Sequence, residues 1–271
     1  MMKDIWVVKE NGEQEKFSPR KVKRALRRSG LGVKTSQEML KVLEPKLYNG
    51  ITTKKIYQIV YRLVKERKPE VTHKYNLKRA LQDLGPAGYH FEDFVAKLLD
   101  SRGYKTEVRQ HIGGRCTSHE IDAVATKGKD KYMVECKFHN EPGTRCRIQS
   151  ILYVYSRFLD LEKSVPRKFT KPWLITNTKF STDVVTYAEC MDLPLLGWHY
   201  PFKQSLEVLI DRTKCYPVTV IDMSRNSLKN LLKRRMVTVQ DIPESPHRLS
   251  DFTGVSLGTA KKIVKKAEYA R

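Results

Sequence analysis

From Gly88 to Tyr200 the hydrophobic period switches repeatedly between helix and strand, and this alternation restricts the fold more than any other feature. The run YHFEDFVAKLLDSRG puts Phe91, Phe94, Val95, Leu98 and Leu99 on one helical face and stops at Gly103. Strand-like runs follow at HEIDAVAT and KYMVECKF, separated by the turn Lys127-Gly128-Lys129-Asp130. A helix over RIQSILYVYSRFLD, a strand at PWLITNT, a helix at TDVVTYAECM and a strand at LPLLGWHY complete the region. Such an order predicts an α/β layer structure, with helices covering a sheet.

The flanks read differently. The N-terminal segment opens with the strand-like IWVVKENG, turns at Asn11-Gly12 and returns in a second strand ending near Phe17. Ser18-Pro19 has the N-cap and first-turn chemistry of a helix start, with Val22, Ala25 and Leu26 as the apolar stripe. Helices are then expected at QEMLKVLEPKLY, TTKKIYQIVYRLVKE and VTHKYNLKRALQDL, and Gly85-Pro86 marks a boundary. From about Phe202 the chain is helical and basic, with helices predicted at NSLKNLLKRRMVTVQDI and in the final LSDFTGVSLGTAKKIVKKAEYAR. The 271 residues thus divide into domains at 1–86, 87–201 and 202–271.

Charge narrows the partners. Fifty-two Lys and Arg against thirty Asp and Glu give a net charge of +22, which favours polyanions because each neutralised phosphate releases counterions. Nucleic acid is the first expectation. No apolar run is long enough to span a membrane, and the N-terminus has no secretory apolar core, so a cytoplasmic chain without membrane partners is expected. Five cysteines, an odd number with no C-x-x-C pair, argue for a reducing compartment. Cys116 and His119 have a ligand-like gap but no second pair, and are read as non-metal residues.

The chemistry concentrates on the two middle strands. Alternation turns Glu135 and Lys137 to one side, and Val134, Cys136 and Phe138 to the other. Asp122 meets Glu135 if the strands pair as a hairpin. Two converging carboxylates with a lysine suit Mg²⁺-dependent phosphodiester hydrolysis: hard oxygens hold the ion, and the lysine orients the attacking water or stabilises charge on phosphorus. Alone, D-x₁₂-E-x-K also describes a solvated edge strand; the preceding helix and the following α/β units favour the site. Cys136 reads as a small buried hydrophobe, and His119 and His139 as structural or substrate-adjacent.

With Glu92 on the preceding helix, the series Glu92, Glu120-Ile121-Asp122, Glu135-Cys136-Lys137 resembles the PD-(D/E)xK nucleases, most closely the Mrr-like restriction endonucleases, from about Gly88 to Tyr200. Ile121 stands where that family usually has Pro. The resemblance implies a restriction-endonuclease-like α/β core, a mixed central sheet flanked by helices. It also implies catalytic roles for Asp122, Glu135, Lys137, Glu92 and Gln149, and a metal set of Asp122, Glu135 and Cys136. Gln149, Tyr153 and Arg157 recur at i, i+4 and i+8, a helix face that would look toward DNA.

Residues 3 to about 84 lack the P-loop pattern but resemble the ATP-cone of ribonucleotide reductases at Val7-Val8-Lys9-Glu10-Asn11-Gly12, Phe17-Ser18, Lys21-Val22 and Ile51-Thr52-Thr53. Glu10 stands where that family usually has Arg. The resemblance implies an α+β hairpin-plus-helices domain binding ATP or dATP as an allosteric ligand through Val7, Lys9, Glu15, Lys21, Val22 and Thr53. Physically, Lys9, Lys21 and a helix N-terminus near Ser18 would meet the phosphates. Leu249 to Ala267 reads helix, tight turn, helix and resembles a helix-hairpin-helix, with Ser256 in place of the second glycine, and Lys261, Lys262, Lys265 and Lys266 suit either phosphate or water.

Together these features predict an ATP/dATP-regulated, Mg²⁺-dependent DNA endonuclease with a helical C-terminal DNA clamp, its partners DNA and adenine nucleotide, and a homodimer left open. Two alternatives stand beside it: a non-catalytic nucleotide-sensing DNA-binding regulator, and a structure-specific resolvase or RNase on the same fold.

Overall fold

The computed structural model describes residues 5–10, 12–141, 143–164 and 168–271, so the Asn11 half of the expected turn lies outside the described residues. The chain forms two compact units, 1–77 and 78–271.

In the first unit β1 (Trp6–Val8) pairs antiparallel with β2 (Gln14–Lys16). Gly12 takes φ 83°, a conformation open to glycine without steric cost. Helix α1 (Pro19–Arg28) starts where Ser18-Pro19 predicts, although the Ser18 hydroxyl accepts no capping hydrogen bond. Its apolar stripe is narrower than expected, because Leu26 is buried and Val22 half-buried while Ala25 is exposed. After α2 (Val33–Leu43), a short β3 (Ile51–Thr52) joins β1 in parallel, aligning Val7 with Ile51 and Val8 with Thr52. Two residues carry no period, so local pattern did not reveal this strand. Helix α3 (Thr53–Arg67) follows, and α4 (Thr72–Gln82) begins in this unit and continues past its limit at Leu77. Val7, Leu26, Met39, Leu43, Ile51 and Val60 form the core.

The larger unit is built on the α/β alternation. Its elements are α5 (Tyr89–Asp100), β4 (Lys105–Gly113), β5 (Ser118–Lys127), β6 (Asp130–Lys137), β7 (Arg145–Cys146), α6 (Ile148–Ser164), β8 (Lys171–Thr176), β9 (Lys179–Phe180), α7 (Thr182–Cys190) and β10 (Leu195–Leu196). Among the described residues five strands make a mixed sheet in the order β10-β8-β6-β5-β4. Strands β4, β5 and β6 run antiparallel as a meander, and β6, β8 and β10 are parallel, joined by α6 and α7. Phe91, Phe94, Val95, Leu98 and Leu99 of α5 are fully buried, as their spacing predicts. Ile151, Val154 and Leu161 of α6 pack with Met133, Leu174 and Val184.

Three expectations needed correction. Periodicity did not reveal β4, an edge strand reading KTEVRQHIG, because its inward face of Thr106, Val108, Gln110 and Ile112 has only two apolar side chains and gives a weak strand signal. LPLLGWHY forms strand only at Leu195–Leu196. The run NSLKNLLKRRMVTVQDI is not one helix. After α8 (Leu206–Thr213), α9 (Arg225–Lys233) ends before Arg234-Arg235, and Arg235 has φ 56°. Met236, Val237 and Val239 are buried, and Asp241 caps the following turn by accepting from Thr238 N–H at 2.9 Å. β-Branched residues with their own cap favour a turn over further helix here. Helices α10 (Pro246–Thr253) and α11 (Leu257–Glu268) flank Gly254 at φ 71°, the helix–turn–helix that the sequence predicts.

Candidate active site

The β4–β5 ladder pairs Lys105 with Thr126 through Val108 with Ala123, then resumes at Gln110 with Ile121. Arg109 and Asp122 would be the intervening pair, and both drop out; Arg109 adopts φ 51°. On its other side β5 pairs with β6 from Lys127–Asp130 up to Ala123–Val134 and no further. Beyond Val134 strand β6 stays with β8, aligning Glu135 with Leu174 and Lys137 with Thr176. Asp122 therefore stands where β5 leaves the ladder. Its Oδ2 accepts the Cys136 N–H at 2.7 Å, supplying an acceptor where the β5 ladder has ended.

Alternation on β6 disposes the rest. Val134 is fully buried, and the Phe138 ring lies 5.5 Å from that of Phe91 on α5. Glu135 turns the opposite way and accepts from the Arg157 guanidinium of α6, which also donates to the Glu120 carbonyl. Arg157 is buried, its plane 5.1 Å from the exposed Tyr153 ring, so the helix face expected to look toward DNA turns inward at Arg157. Gln149 is exposed in the first turn of α6. Lys137 is exposed beyond Glu135.

Glu92 approaches from α5 and accepts from Arg109 Nη1 at 3.3 Å. Burial pushes its carboxyl up to about 7, aided by the negative charge of Asp122 and opposed by Arg109. Burial likewise raises Glu135, with Asp122 as the next cause and Arg157 opposing. Asp122 is raised by burial against the Cys136 N–H and Arg157. The three carboxyls thus share a common frustration: they are taken from water and set near like charge. The Cys136 thiol is held well above its usual range by burial and stays protonated, so a hard cation would draw on Cys136 only through its main-chain carbonyl.

Other residues near the site were not legible from the sequence. Asp93, 4% exposed, binds Arg109 Nη2 at 2.8 Å and Arg235 Nη2 at 2.6 Å, tying α5 to the turn after α9. A carboxylate within the Phe-rich face of α5 was the available signal, because a buried charge needs partners. His119 Nε2 lies 2.8 Å from Asp160, which also accepts from Cys116 N–H at 2.9 Å and Thr117 N–H at 3.4 Å. The His119 bond is the chief reason the Asp160 carboxyl falls to about 2. The hairpin tip between β4 and β5 is thereby clasped to α6, and a Cβ on Gly114 would sit 2.0 Å from Asp160 Oδ2. His139 is held through its backbone, donating to Asn177 Oδ1 at 2.9 Å and accepting from Asn177 Nδ2 at 2.7 Å.

In the N-terminal unit, Lys9 lies 3.1 Å from Glu13 and 3.4 Å from Glu15, and Lys21 lies 2.7 Å from Glu15. Val7 pairs across the hairpin with Glu15, but its side chain is buried in the core. Val22 is half-buried, and Thr53 opens α3 behind the Thr52 cap, whose hydroxyl accepts from Lys55 N–H at 3.1 Å.

Comparison with known proteins finds three family matches in order: an ATP cone domain at residues 5–84, a restriction endonuclease domain of the Mrr catalytic type at 86–196, and an AF1548-like C-terminal domain at 216–269. An uncharacterized protein of Archaeoglobus fulgidus is 36% identical over 174 residues, which are 64% of this chain and 98% of that protein. The crystal structure of AF1548, a protein of unknown function, is similar with TM-score 0.59 and 36% identity, covering 67% of this chain and 97% of its own. No helix of the described residues is long and apolar enough to cross a membrane.

Proposed function

The chain belongs to the AF1548-like family, with an ATP cone ahead of a restriction-endonuclease-type domain, and from that premise we propose that it is a cytoplasmic, Mg²⁺-dependent DNA endonuclease regulated by ATP or dATP. Residues 1–86 are the sensor, 87–201 the nuclease and 202–271 a helical aid to DNA binding. One observation carries the catalytic part. Asp122 closes onto the Cys136 N–H where β5 and β6 part, which brings Asp122, Glu135 and Lys137 to one gap in the sheet.

The donor chemistry fits a hard divalent ion. Among the described residues no group of three or more His, Cys, Asp or Glu side chains is arranged to hold a metal. Mg²⁺ does not require such a cage, because it binds through one or two carboxylates and keeps waters and substrate phosphate. Asp122 and Glu135 would hold it, with the Cys136 carbonyl beside them. When bound, the ion would neutralise their charge, polarise the scissile phosphate and acidify the attacking water. Arg157 fixes the Glu135 rotamer from behind. Lys137 orients the water or meets charge developing on phosphorus. Glu92, with its carboxyl near 7, is placed to exchange a proton at neutral pH.

Supercoiled plasmid and branched DNA incubated with Mg²⁺, with and without ATP or dATP, test the reading. Lys137→Ala should lower cleavage by about 10²–10³-fold, with an unchanged circular dichroism spectrum. Full cleavage by that variant would overturn the site.

A further inference from the structure

A cleft of about 330 Å³ lies between the turn leading into α5 and one face of α9, and its chemistry is unlike that of the catalytic gap. Its floor is apolar, made by Leu84, Leu228 and Leu232. At its mouth Tyr89 is 49% exposed, its ring 4.1 Å from that of His90. His90 is 92% buried, and its Nδ1 has no hydrogen-bond partner. A buried ring nitrogen without a partner lowers stability. The rim is cationic: Arg225, Lys229 and Lys233 line the cleft at i, i+4 and i+8, one stripe of α9, and all three are exposed. Asp83, the acidic group at the cleft, lies 3.8 Å from Arg79.

An apolar floor, an exposed aromatic ring and a row of cations match a nucleotide joined to its neighbours by phosphates. We propose that this cleft receives one unpaired nucleotide of a nucleic-acid strand, the base entering against Tyr89 and His90 while Arg225, Lys229 and Lys233 hold the adjoining phosphates. The volume sits at the small end of ligand pockets and suits a base with part of its sugar. Stacking on an aromatic ring tolerates any base, so the cleft selects for an unpaired position over a sequence.

The placement also links it to the catalytic gap. Tyr89 and His90 precede Glu92 on the first turn of α5, and a Cβ on Gly88 would lie 3.9 Å from Glu92 Oε1. One turn of helix therefore presents two side chains to the cleft and the third toward Asp122. Resting on the nuclease reading above, this deepens it: the preferred substrate is DNA with an unpaired nucleotide beside the scissile phosphate.

The test uses the full chain in EDTA, so that binding is read without turnover. Fluorescence anisotropy compares a short labelled duplex, the same duplex with one extra unpaired thymidine, and the same bulge made abasic. The unpaired thymidine should tighten binding by about 10-fold over the duplex, and the abasic bulge should lose that gain. Tyr89→Ala and Lys229→Ala, both at exposed positions, should each reduce the preference. Equal binding of duplex and bulge, or a preference untouched by Tyr89→Ala and Lys229→Ala, would overturn the proposal. Displacement of the bulged strand by free thymidine monophosphate would overturn it too, by assigning the cleft to a mononucleotide. Asp122→Ala separates the two readings. Cleavage surviving in that variant would sink the catalytic site, while bulge preference in EDTA would still decide the cleft.

Discussion

Glu15 in the N-terminal hairpin and Glu135 in the central sheet both face basic side chains, yet their carboxyls are driven in opposite directions. Lys21 donates to Glu15 at the surface and holds it below the usual carboxylate range. Arg157 donates to Glu135 in the same way, but burial and the nearby Asp122 outweigh it and Glu135 rises. A neighbouring cation stabilises a carboxylate only to the extent that the site keeps its solvation or replaces it. The difference matches the proposed roles. Under the proposed role, the hairpin lysines would exchange Glu15 for a phosphate at small cost, because water replaces lost contacts. The sheet carboxyls lack that solvation, and under the proposed role a divalent ion would supply the missing positive charge.

The sharpest way to break this comparison is to remove each basic partner. Arg157→Met should destabilise the protein by about 3–5 kcal/mol in urea denaturation at about pH 8, since it leaves Glu135 and the Glu120 carbonyl unpaired in a buried setting. The loss should shrink toward lower pH as Glu135 takes up a proton. A loss below about 1 kcal/mol would mean that Glu135 is solvated like Glu15.

Glu92 sharpens the buried side. Its folded carboxyl titrates near 7, above its ordinary value of 4.5, so the folded state binds more protons between these values and stability falls as pH rises through that window. In EDTA, Glu92→Gln should therefore be more stable than the native protein by roughly 2–3 kcal/mol at about pH 8, with the difference gone by about pH 4. Melting temperatures recorded across that range decide it. A flat difference would remove the burial argument.

The exposed side predicts the smallest change in stability and the clearest change in ligand response. Lys21→Ala should cost less than about 1 kcal/mol, as expected for a surface pair. ATP or dATP should raise the melting temperature of the native protein by binding its folded state, and Lys21→Ala should abolish that rise. Calorimetry showing no nucleotide binding at millimolar concentration would leave the hairpin cluster a surface ion pair and no more.

Local pattern settled the elements whose burial follows from spacing alone. The apolar face of α5, the Gly128 turn between β5 and β6, and the alternation that turns Glu135 away from Cys136 were all legible, because each depends on residues within a few positions. The restriction-endonuclease-like core and the ATP cone were legible for the same reason, as short motifs on recognisable elements. Only the tertiary structure decided the pairings that span distance. Arg157 reaches Glu135 across 22 positions, and Arg235 reaches Asp93 across 142. Strand β4, with apolar side chains only at Val108 and Ile112, takes its place at the sheet edge through pairing with β5. Periodicity encodes which side of an element leaves water; which charge it then meets depends on chain segments brought together by packing, and no local spacing records that.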